Sequence, residues 1–202
     1  MMSKADILTE ARTVFGRKGY ADASLREIAG AVGIKTPSLY AHFPSKEALY
    51  HAVYAQVAVE HTAFFNDLAR GSAGLPPLER LRHLLSGIEE FYRDQPELAE
   101  FSLRAAVEEY GPSGRGLREI FLDVESDLAD AVQQTYHDGV AAGDFAPGDP
   151  EGFVALVFVI MDGLFLQLTH YAADVYRERF EHTWRYLAKT LTAVPPIPKG
   201  NQ

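Results

Sequence analysis

A short stretch near the N-terminus carries the side chains best suited to recognise another molecule. From Gly33 to Phe43 the sequence reads GIKTPSLYAHF, in which hydroxyl, imidazole and ammonium groups stand among a few apolar side chains. Hydroxyl groups can hydrogen-bond to the edges of nucleic-acid bases, and lysine ammonium groups pair with phosphates. Lys35 and Lys46 flank the stretch, where they can contact phosphates on either side of a groove. These residue types indicate recognition of nucleic acid.

Helical spacing separates this stretch into an inner and an outer face. At about 100° per residue, Leu39, Phe43 and in part Tyr40 point inward. The outer face is small and polar, so it can enter a major groove about 12 Å wide, where serine bonds to base edges and alanine or proline meets a thymine methyl group. The outward side chains are Pro37, Ser38, Ala41 and His42.

Three predicted helices position this face. The first has apolar residues at helical spacing and ends at Gly19. The second begins with a capping box at Ser24 and ends at Gly33. The third has Thr36 as its predicted N-cap and Pro37 at its first helical position. Two short helices that meet at a tight turn behind a bracing helix predict a helix-turn-helix.

The rest of the chain also reads as helices, so the predicted fold class is all-α. Ser45 caps a long fourth helix that ends near Arg70, and Gly- and Pro-rich breakers divide the sequence beyond it. No internal repeat is visible. Further helices are predicted near residues 77–94, 96–110, 117–142, 150–171 and 174–192, followed by a disordered tail at 195–202.

One apolar segment leaves two interpretations open. The sequence FVALVFVIMDGLFLQL is rich in β-branched and aromatic residues, and its Asp162-Gly163 pair is typical of a hairpin turn. We favour a helix because the apolar runs do not alternate with polar residues and no other segment offers a strand partner. A helix that is apolar all round must be covered on every side.

Composition limits the class of protein. The chain has 202 residues, no cysteine and a formal net charge of −9. Residues 1–50 carry seven basic and five acidic side chains, a net charge of +2, so the remainder carries −11. The N-terminus lacks a signal-peptide pattern, and the longest apolar run, Phe153 to Met161, is shorter than the roughly 20 residues of a membrane span. We therefore expect a soluble, cytoplasmic protein whose two regions have different partners.

The order of the N-terminal residues closely resembles the DNA-binding domain of TetR-family transcriptional regulators. The similar sequence is ILTEARTVFGRKGYADASLREIAGAVGIKTPSLYAHFPSKEAL, about 40 residues in all. The resemblance implies an all-helical protein with an N-terminal three-helix helix-turn-helix domain at 1–47 and a C-terminal effector-binding and dimerisation domain at 48–194. The matching residues are Ala11, Phe15, Gly19, Tyr20, Ser24, Ile28, Ala29, Gly33, Leu39, Tyr40, His42, Phe43, Ser45, Lys46 and Glu47.

Residue by residue, the resemblance implies a set of contacts to double-stranded operator DNA. Ser24 and Arg26 would contact the DNA backbone. Thr36, Pro37 and Ser38 would contact bases or nearby phosphates. The family most often has Ser-Lys-Gly at positions 35–37, where this chain has Lys-Thr-Pro, so individual base contacts cannot be carried over. The remaining implied phosphate contacts are Tyr40, which could also be a packing residue, His42 and Lys46.

The C-terminal domain of such a regulator forms a homodimer and binds a small-molecule effector. Aromatic stripes at helical spacing and a small glycine predict a dimer interface of Gly163, Tyr176, Phe180, Trp184, Leu187 and Leu191. Each aromatic residue of the domain could belong to the core instead, and Asp162 could be capped or paired within the chain. The candidate ligand-binding residues are Phe65, Phe91, Phe101, Tyr136, Phe158, Met161 and Phe165, with Arg104, His137 or Asp162 as polar anchors.

The sequence carries no Gly-rich phosphate loop, nucleophile elbow or clustered metal ligands. We therefore predict neither enzymatic activity nor a cofactor or metal site. The expected function is a ligand-responsive transcriptional repressor that binds a palindromic operator as a homodimer and is released by its effector. A helical small-molecule-binding protein or enzyme with a vestigial helix-turn-helix is the alternative, and a purely structural dimer is a third possibility.

Overall fold

The computed structural model describes the backbone of residues 3–107 and 114–192 and the side chains of residues 3–106 and 126–192. All regular structure within these ranges is α-helical, which confirms the predicted fold class. The end of the helix predicted at 96–110 and the tail predicted at 195–202 lie outside the described residues. The helices of the described part are α1 (Lys4–Asp22), α2 (Leu25–Val32), α3 (Thr36–His42), α4 (Lys46–Ser72), α5 (Pro77–Tyr92), α6 (Pro96–Val107), α7 (Gly114–Ala142), α8 (Pro150–His170) and α9 (Ala173–Leu191).

Glycines end the first two helices as predicted, although the caps differ in detail. Gly19 has φ 76° and ψ 172°, which interrupts α1 before one last turn, and Gly33 ends α2 at φ 77°. The Ser24 hydroxyl accepts a bond from the Glu27 amide, whereas the Glu27 carboxylate pairs with Lys18 at 2.8 Å instead of completing the capping box. Thr36 is not the N-cap of α3, because Lys35 occupies that position without a side-chain bond.

The contested apolar segment is a continuous helix. α8 runs from Pro150 to His170, and its first turn is capped by Asp149, whose carboxylate accepts a bond from the Glu151 amide at 3.1 Å. Proline within the first two positions costs no hydrogen bond there. The hairpin interpretation of Asp162-Gly163 is therefore excluded.

The chain forms two compact units. The first comprises Met1–Phe64 and Phe91–Ser126, and the second comprises Phe65–Glu90 and Asp127–Gln202. α6 belongs to the first unit because it packs with the N-terminal helices, and the domain boundary between residues 47 and 48 stays a prediction. The contacts that hold α6 there are long-range, so spacing along the sequence does not reveal them.

The core of the first unit draws on α1, α2, α3, α4 and α6. Phe15 of α1 and Phe101 of α6 each contact Tyr50 of α4, with ring centroids 5.0 and 5.5 Å away. Leu39 and Phe43 fix α3 to this core, so each short helix is held by a few fully buried side chains. The other large buried members are Ile7, Val14, Ile28, Val32, Leu49 and Val53.

The second unit buries one face each of α8 and α9. Phe153, Val157, Met161 and Leu164 form the inner face of α8. The inner face of α9 packs beside α5, whose Arg82 guanidinium lies 5.6 Å from the ring centroid of Phe180 and 5.5 Å from that of Trp184. Ion pairs join Arg82 to Glu181 and Arg177 to Glu89.

Candidate nucleic-acid interface

The outer face of α3 is open, as the helical spacing predicts. Leu39 is the buried residue of the helix, and Phe43 buries its ring just beyond the C-terminal end. Tyr40 is 52% exposed, so it does not serve as a packing residue within the described part of the chain. Thr36 is half-buried. The other predicted DNA-contacting residues of α2, α3 and their connection are exposed: Ser24, Arg26, Lys35, Pro37, Ser38 and His42.

Lys46 occupies a different place from the one predicted. Its ammonium group donates to the backbone carbonyl oxygens of Tyr20 at 2.7 Å, Ala21 at 3.1 Å and Ala23 at 2.9 Å. It also lies 4.7 Å from the centroid of the Tyr20 ring. An ammonium group has three hydrogens, and all three point to these carbonyls. Without DNA the ammonium group thus bonds within the domain, an arrangement that spacing from α3 could not reveal, and the phosphate contact of Lys46 stays a prediction.

A basic residue that the sequence analysis missed lies beside α3. The Lys4 ammonium group sits 5.1 Å from the centroid of Phe43, the residue that follows the last turn of α3. Lys4 is exposed at the first turn of α1, where the Ser3 hydroxyl and the Asp6 carboxylate form a capping box. The sequence offered no signal for this position, because only the packing of α1 against the end of α3 brings Lys4 to this surface.

Three of the predicted ligand-binding residues belong to the first unit and have structural roles there. Phe101 is part of the core around α1. The Arg104 guanidinium donates from Nε to the Gly16 carbonyl at 2.5 Å and from a terminal nitrogen to the Arg17 carbonyl at 3.0 Å. Phe91 is buried, and its ring centroid lies 5.0 Å from that of Phe64. Arg104 therefore has a structural role in joining α6 to α1, and its predicted role as a polar anchor for an effector stays a prediction.

The remaining candidate ligand-binding residues lie in the second unit. Tyr136 is buried against Phe153, with ring centroids 4.9 Å apart, and its hydroxyl has no hydrogen-bond partner among the described residues. Phe65 and Met161 are buried, and Phe158 and Phe165 are half-buried. The two other predicted polar anchors, His137 and Asp162, are exposed on the unit, and their role toward an effector stays a prediction.

Most of the predicted dimer stripe of α9 is covered within its own chain. Its residues face the interior of the second unit, since the α9 face that they form packs beside α5. A Cβ atom at Gly163 of α8 would meet nothing within 4 Å, so the small size of this residue is not required inside the chain. Leu191 is half-buried. The buried residues of the stripe are Tyr176, Phe180, Trp184 and Leu187.

An apolar face remains uncovered on α8. Leu156, Val159 and Leu166 are exposed on it, and Asp162 lies among them at helical spacing. Although the Asp162 side chain is exposed, the apolar groups beside it remove part of the water around the carboxylate, and this desolvation raises the pKa of Asp162 above its ordinary value. Among the described residues, α8 is the one helix long and apolar enough to cross a membrane by length and composition. Only 22% of its most apolar 18-residue segment is buried inside the chain. The same features suit a helix that is covered by another protein surface.

Comparison with known proteins gives a match to one protein family and matches to individual regulators. Residues 7–53 match the family described as "Bacterial regulatory proteins, tetR family". The HTH-type transcriptional regulator RutR of Escherichia coli O157:H7 is 28% identical over 159 residues, which cover 77% of this chain and 70% of RutR. The HTH-type transcriptional regulator YerO of Bacillus subtilis is 27% identical over 141 residues, which cover 68% of this chain. This chain spans only 48% of the length of YerO.

The fold has close counterparts among solved structures. A TetR transcriptional regulator from Chloroflexus aurantiacus superposes with a TM-score of 0.72 at 22% identity, and the match covers 93% of both chains. At this identity the likeness concerns the fold. The family match thus concerns residues 7–53, which are similar to the tetR family of bacterial regulatory proteins, and the likeness over the rest of the chain is one of fold.

Proposed function

We propose that this chain is a ligand-responsive transcriptional repressor that binds a palindromic operator as a homodimer in the cytoplasm. The observation that carries the proposal is the outer face of α3, where Ser38 and His42 stay exposed because Leu39 and Phe43 provide the contacts to the core. A small polar face of this kind enters the major groove, where Ser38 bonds to base edges. Lys35 lies at the N-terminal end of the helix, placed to pair with a phosphate.

Further exposed residues would complete the DNA contact. Ser24 and Arg26 at the start of α2, with Thr36, Pro37, Tyr40 and His42 of α3, would contact phosphates or bases on one wall of the groove. Lys4 would add a cation at the other end of α3, close to Phe43. The positive net charge of residues 1–50 supports this use, since the acidic remainder repels DNA and keeps the contact confined to one surface.

Dimerisation is supported by the uncovered face of α8. Val159 is 68% exposed, and Gly163 leaves open space in the middle of the same helix, where a second copy could approach closely. Tyr186, at 79% exposed, adds an aromatic side chain on the outer face of α9. A symmetric pair also suits DNA, because half-sites about 34 Å apart place both recognition helices on one side of the duplex.

A pair of matched substitutions tests the dimer interface. Val159→Asp should produce monomers in sedimentation velocity experiments, because it places a carboxylate on the apolar contact surface. Val59→Asp is the control, since Val59 on α4 is also 68% exposed but lies away from α8 in the sequence and in a different unit. A parent protein that sediments as a monomer, or a Val159→Asp protein that stays dimeric, would contradict the proposed interface.

Effector binding is supported by the interior of the second unit. Tyr136 and Tyr176 bury hydroxyl groups that have no partner among the described residues. An unsatisfied buried hydroxyl costs about 1–3 kcal/mol, and an effector with a hydrogen-bonding group would remove that cost. Phe65, Met161 and Phe165 would supply apolar contacts to the same molecule. Binding would favour a dimer in which the recognition helices no longer match the spacing of the groove.

Selection of duplexes from a random library tests the proposed function directly. The parent protein should enrich an inverted repeat and bind it with a Kd of about 10⁻⁸ to 10⁻¹¹ M at physiological salt. Ser38→Ala should change the enriched bases. Thr9→Ala is the control, because the exposed Thr9 hydroxyl donates to the Ala5 carbonyl of its own helix and to no other described residue. Equal binding to all duplexes by the parent protein would contradict operator recognition.

A further inference from the structure

α8 and α9 lie side by side on the outside of the second unit. Two residues join His170 at the end of α8 to Ala173 at the start of α9, so the helices run antiparallel. Arg179 of α9 donates to the side-chain oxygen of Gln167 on α8, and these two positions are therefore level along the helix axes. The exposed side chains of both helices form one surface, which includes Val159 of the uncovered α8 face.

A single carboxylate interrupts the apolar face of α8. Asp162 is exposed one turn from both Val159 and Leu166. Between Glu151 and His170 it is the one charged side chain of the helix. The apolar groups beside Asp162 raise its pKa by removing water from the carboxylate. A second copy that covers α8 would remove more water, so the covered carboxylate requires a cation from that copy.

Arg185 of α9 is the cation at the level of Asp162. Asp162 lies five residues before Gln167, and Arg185 lies six residues after Arg179. At a rise of about 1.5 Å per residue, these positions are about 7.5 and 9 Å from the bonded pair, in the same direction because the helices are antiparallel. The Arg185 Nε donates to the Glu181 carbonyl of its own helix at 3.3 Å. The terminal nitrogens of Arg185 bond to none of the described residues, so they are available to a carboxylate.

Asp162 and Arg185 cannot meet within one copy. At about 100° per residue, Asp162 points about 140° away from Gln167, and Arg185 points about 120° away from Arg179. Gln167 and Arg179 mark the sides on which α8 and α9 touch, so the two charges project from opposite edges of the shared surface. Both side chains are exposed, as this placement requires.

Two-fold symmetry brings the two edges together. A two-fold axis that runs parallel to the helices, between the copies, places α8 of one copy on α9 of the other and keeps each residue at its level. The edge that bears Asp162 then faces the edge that bears the partner's Arg185. We propose that Asp162 pairs with the partner's Arg185 across the homodimer, twice by symmetry, and so fixes which helices pack together. This inference rests on the proposed homodimer.

Other charged groups of the two helices fit Asp162 less well. His182 lies 3.8 Å from Glu178 of its own copy, which supplies a nearer carboxylate. Lys189 lies ten residues beyond Arg179, about 15 Å along the axis and more than one turn from the level of Asp162. A two-fold axis perpendicular to the helices would instead place α8 on α8, whose central turns carry no cation.

Charge reversal measures the pair. An ion pair at the edge of an interface changes an equilibrium about threefold, so two pairs change Kd about tenfold, and repulsion of similar size adds about another tenfold. Asp162→Arg and Arg185→Asp should therefore each raise the Kd of the homodimer about a hundredfold in sedimentation velocity experiments at low salt. The double variant should regain the parent Kd. A single variant with the parent Kd would overturn the proposal.

A mixture of the two single variants gives the sharpest result. In a mixed dimer, the arginine that replaces Asp162 faces the aspartate that replaces Arg185, and the unaltered Asp162 and Arg185 face each other. We therefore expect mixed dimers with about the parent Kd from two proteins that separately dissociate. Misfolding of either variant cannot produce this result. A mixture that dimerises no more tightly than either variant alone would overturn the pair.

Asp130→Arg is the matched control for net charge. Asp130 is exposed on α7, and the substitution changes the charge of the chain by the same amount as Asp162→Arg. It should leave the parent Kd unchanged. Mixed with Arg185→Asp, it should give a Kd about tenfold above that of the parent, because one of the two pairs stays repulsive. Full rescue by Asp130→Arg would show that net charge, and not the pair, controls association.

These outcomes separate the charge pair from the proposed homodimer. A parent protein that stays dimeric while no variant changes Kd would overturn the pair alone. A parent protein that is monomeric at every concentration would contradict the homodimer and the pair with it. For a Kd below the range of sedimentation, the dissociation rate from exchange of labelled subunits gives the same ratios. In a separate copy Asp162 has no partner cation, so the cost of its charge to stability is measured at protein concentrations below Kd.

Discussion

Replacement of Gly16 by alanine tests how closely α6 packs against α1. A Cβ atom at Gly16 would lie 3.1 Å from the backbone nitrogen of Phe101 and 3.2 Å from the carbonyl oxygen of Glu97. Both atoms belong to the backbone of α6, so neither can move away by rotation of a side chain. The helices would have to separate by a few tenths of an ångström. That movement would also disturb the 2.5 Å bond from Arg104 to the Gly16 carbonyl.

Two opposing effects determine the size of the change. Alanine in place of glycine within a helix stabilises by about 0.5–1 kcal/mol when the new methyl group meets nothing. Overpacking against a fixed neighbour costs about 1–3 kcal/mol. We therefore expect Gly16→Ala to destabilise the protein by about 1 kcal/mol net. For a chain of this size the melting temperature should fall by about 2–4 °C.

Gly30→Ala is the matched control for this prediction. Gly30 lies inside α2, and nothing comes within 4 Å of a Cβ atom at that position. The same substitution should therefore raise the melting temperature there, by about 1–4 °C. Thermal unfolding followed by circular dichroism at one protein concentration measures both variants. A Gly16→Ala protein that melts at or above the parent would refute the close packing of the two helices.

Three further substitutions address titration and packing. Burial lowers the pKa of His61, whose ring lies 5.2 Å from that of Phe91, to about 4. The parent protein should therefore lose stability as the pH falls from 6.5 toward 4, because only the unfolded chain takes up the proton in that range. In thermal scans, His61→Leu should lose less stability over the same range. Partial desolvation raises the pKa of the Asp162 carboxyl. Its charge then costs stability as the pH rises through that pKa, so the melting temperature of Asp162→Asn should exceed that of the parent by more at pH 7 than at pH 3.5. An equal difference at both pH values would show that the charge of Asp162 does not cause the change. A Cβ atom at Gly139 would overlap the buried Phe145 ring; Gly139→Ala should therefore destabilise by about 1–3 kcal/mol in urea unfolding, and a midpoint equal to that of the parent would show that the ring can move aside.

The short helices around α3 could be predicted from the sequence because their signals are local. Gly19 and Gly33 end helices at positive φ, a conformation that other residues rarely adopt. The spacing of Leu39 and Phe43 identified the inner face of α3 and, by difference, its exposed outer face. The N-cap predicted for α3, Thr36, lies one residue after the observed N-cap, Lys35. Both residues precede Pro37, and either can end the extended segment before the helix.

Side chains with long-range partners could not be assigned in the same way. Arg104 has a charged, hydrogen-bonding side chain of the kind that anchors ligands, yet it bonds to the carbonyl of Gly16, 88 residues earlier in the chain. Lys46 lies next to α3 in sequence but bonds to carbonyls more than 20 residues away. A cationic side chain is expected to bind an acceptor oxygen, and sequence spacing does not show whether that oxygen belongs to a phosphate or to a backbone carbonyl group.

The sequence by itself determined that the chain is helical, where its helices break and which residues share each helical face. Those properties follow from backbone geometry and from the periodicity of apolar side chains, both of which act over a few residues. Only the tertiary structure decided what covers each face. The stripe of α9 from Tyr176 to Leu187 is buried within its own unit, while Val159 on α8 stays exposed. The physical reason is that hydrophobic burial has no direction, so an apolar face requires a partner without specifying which one.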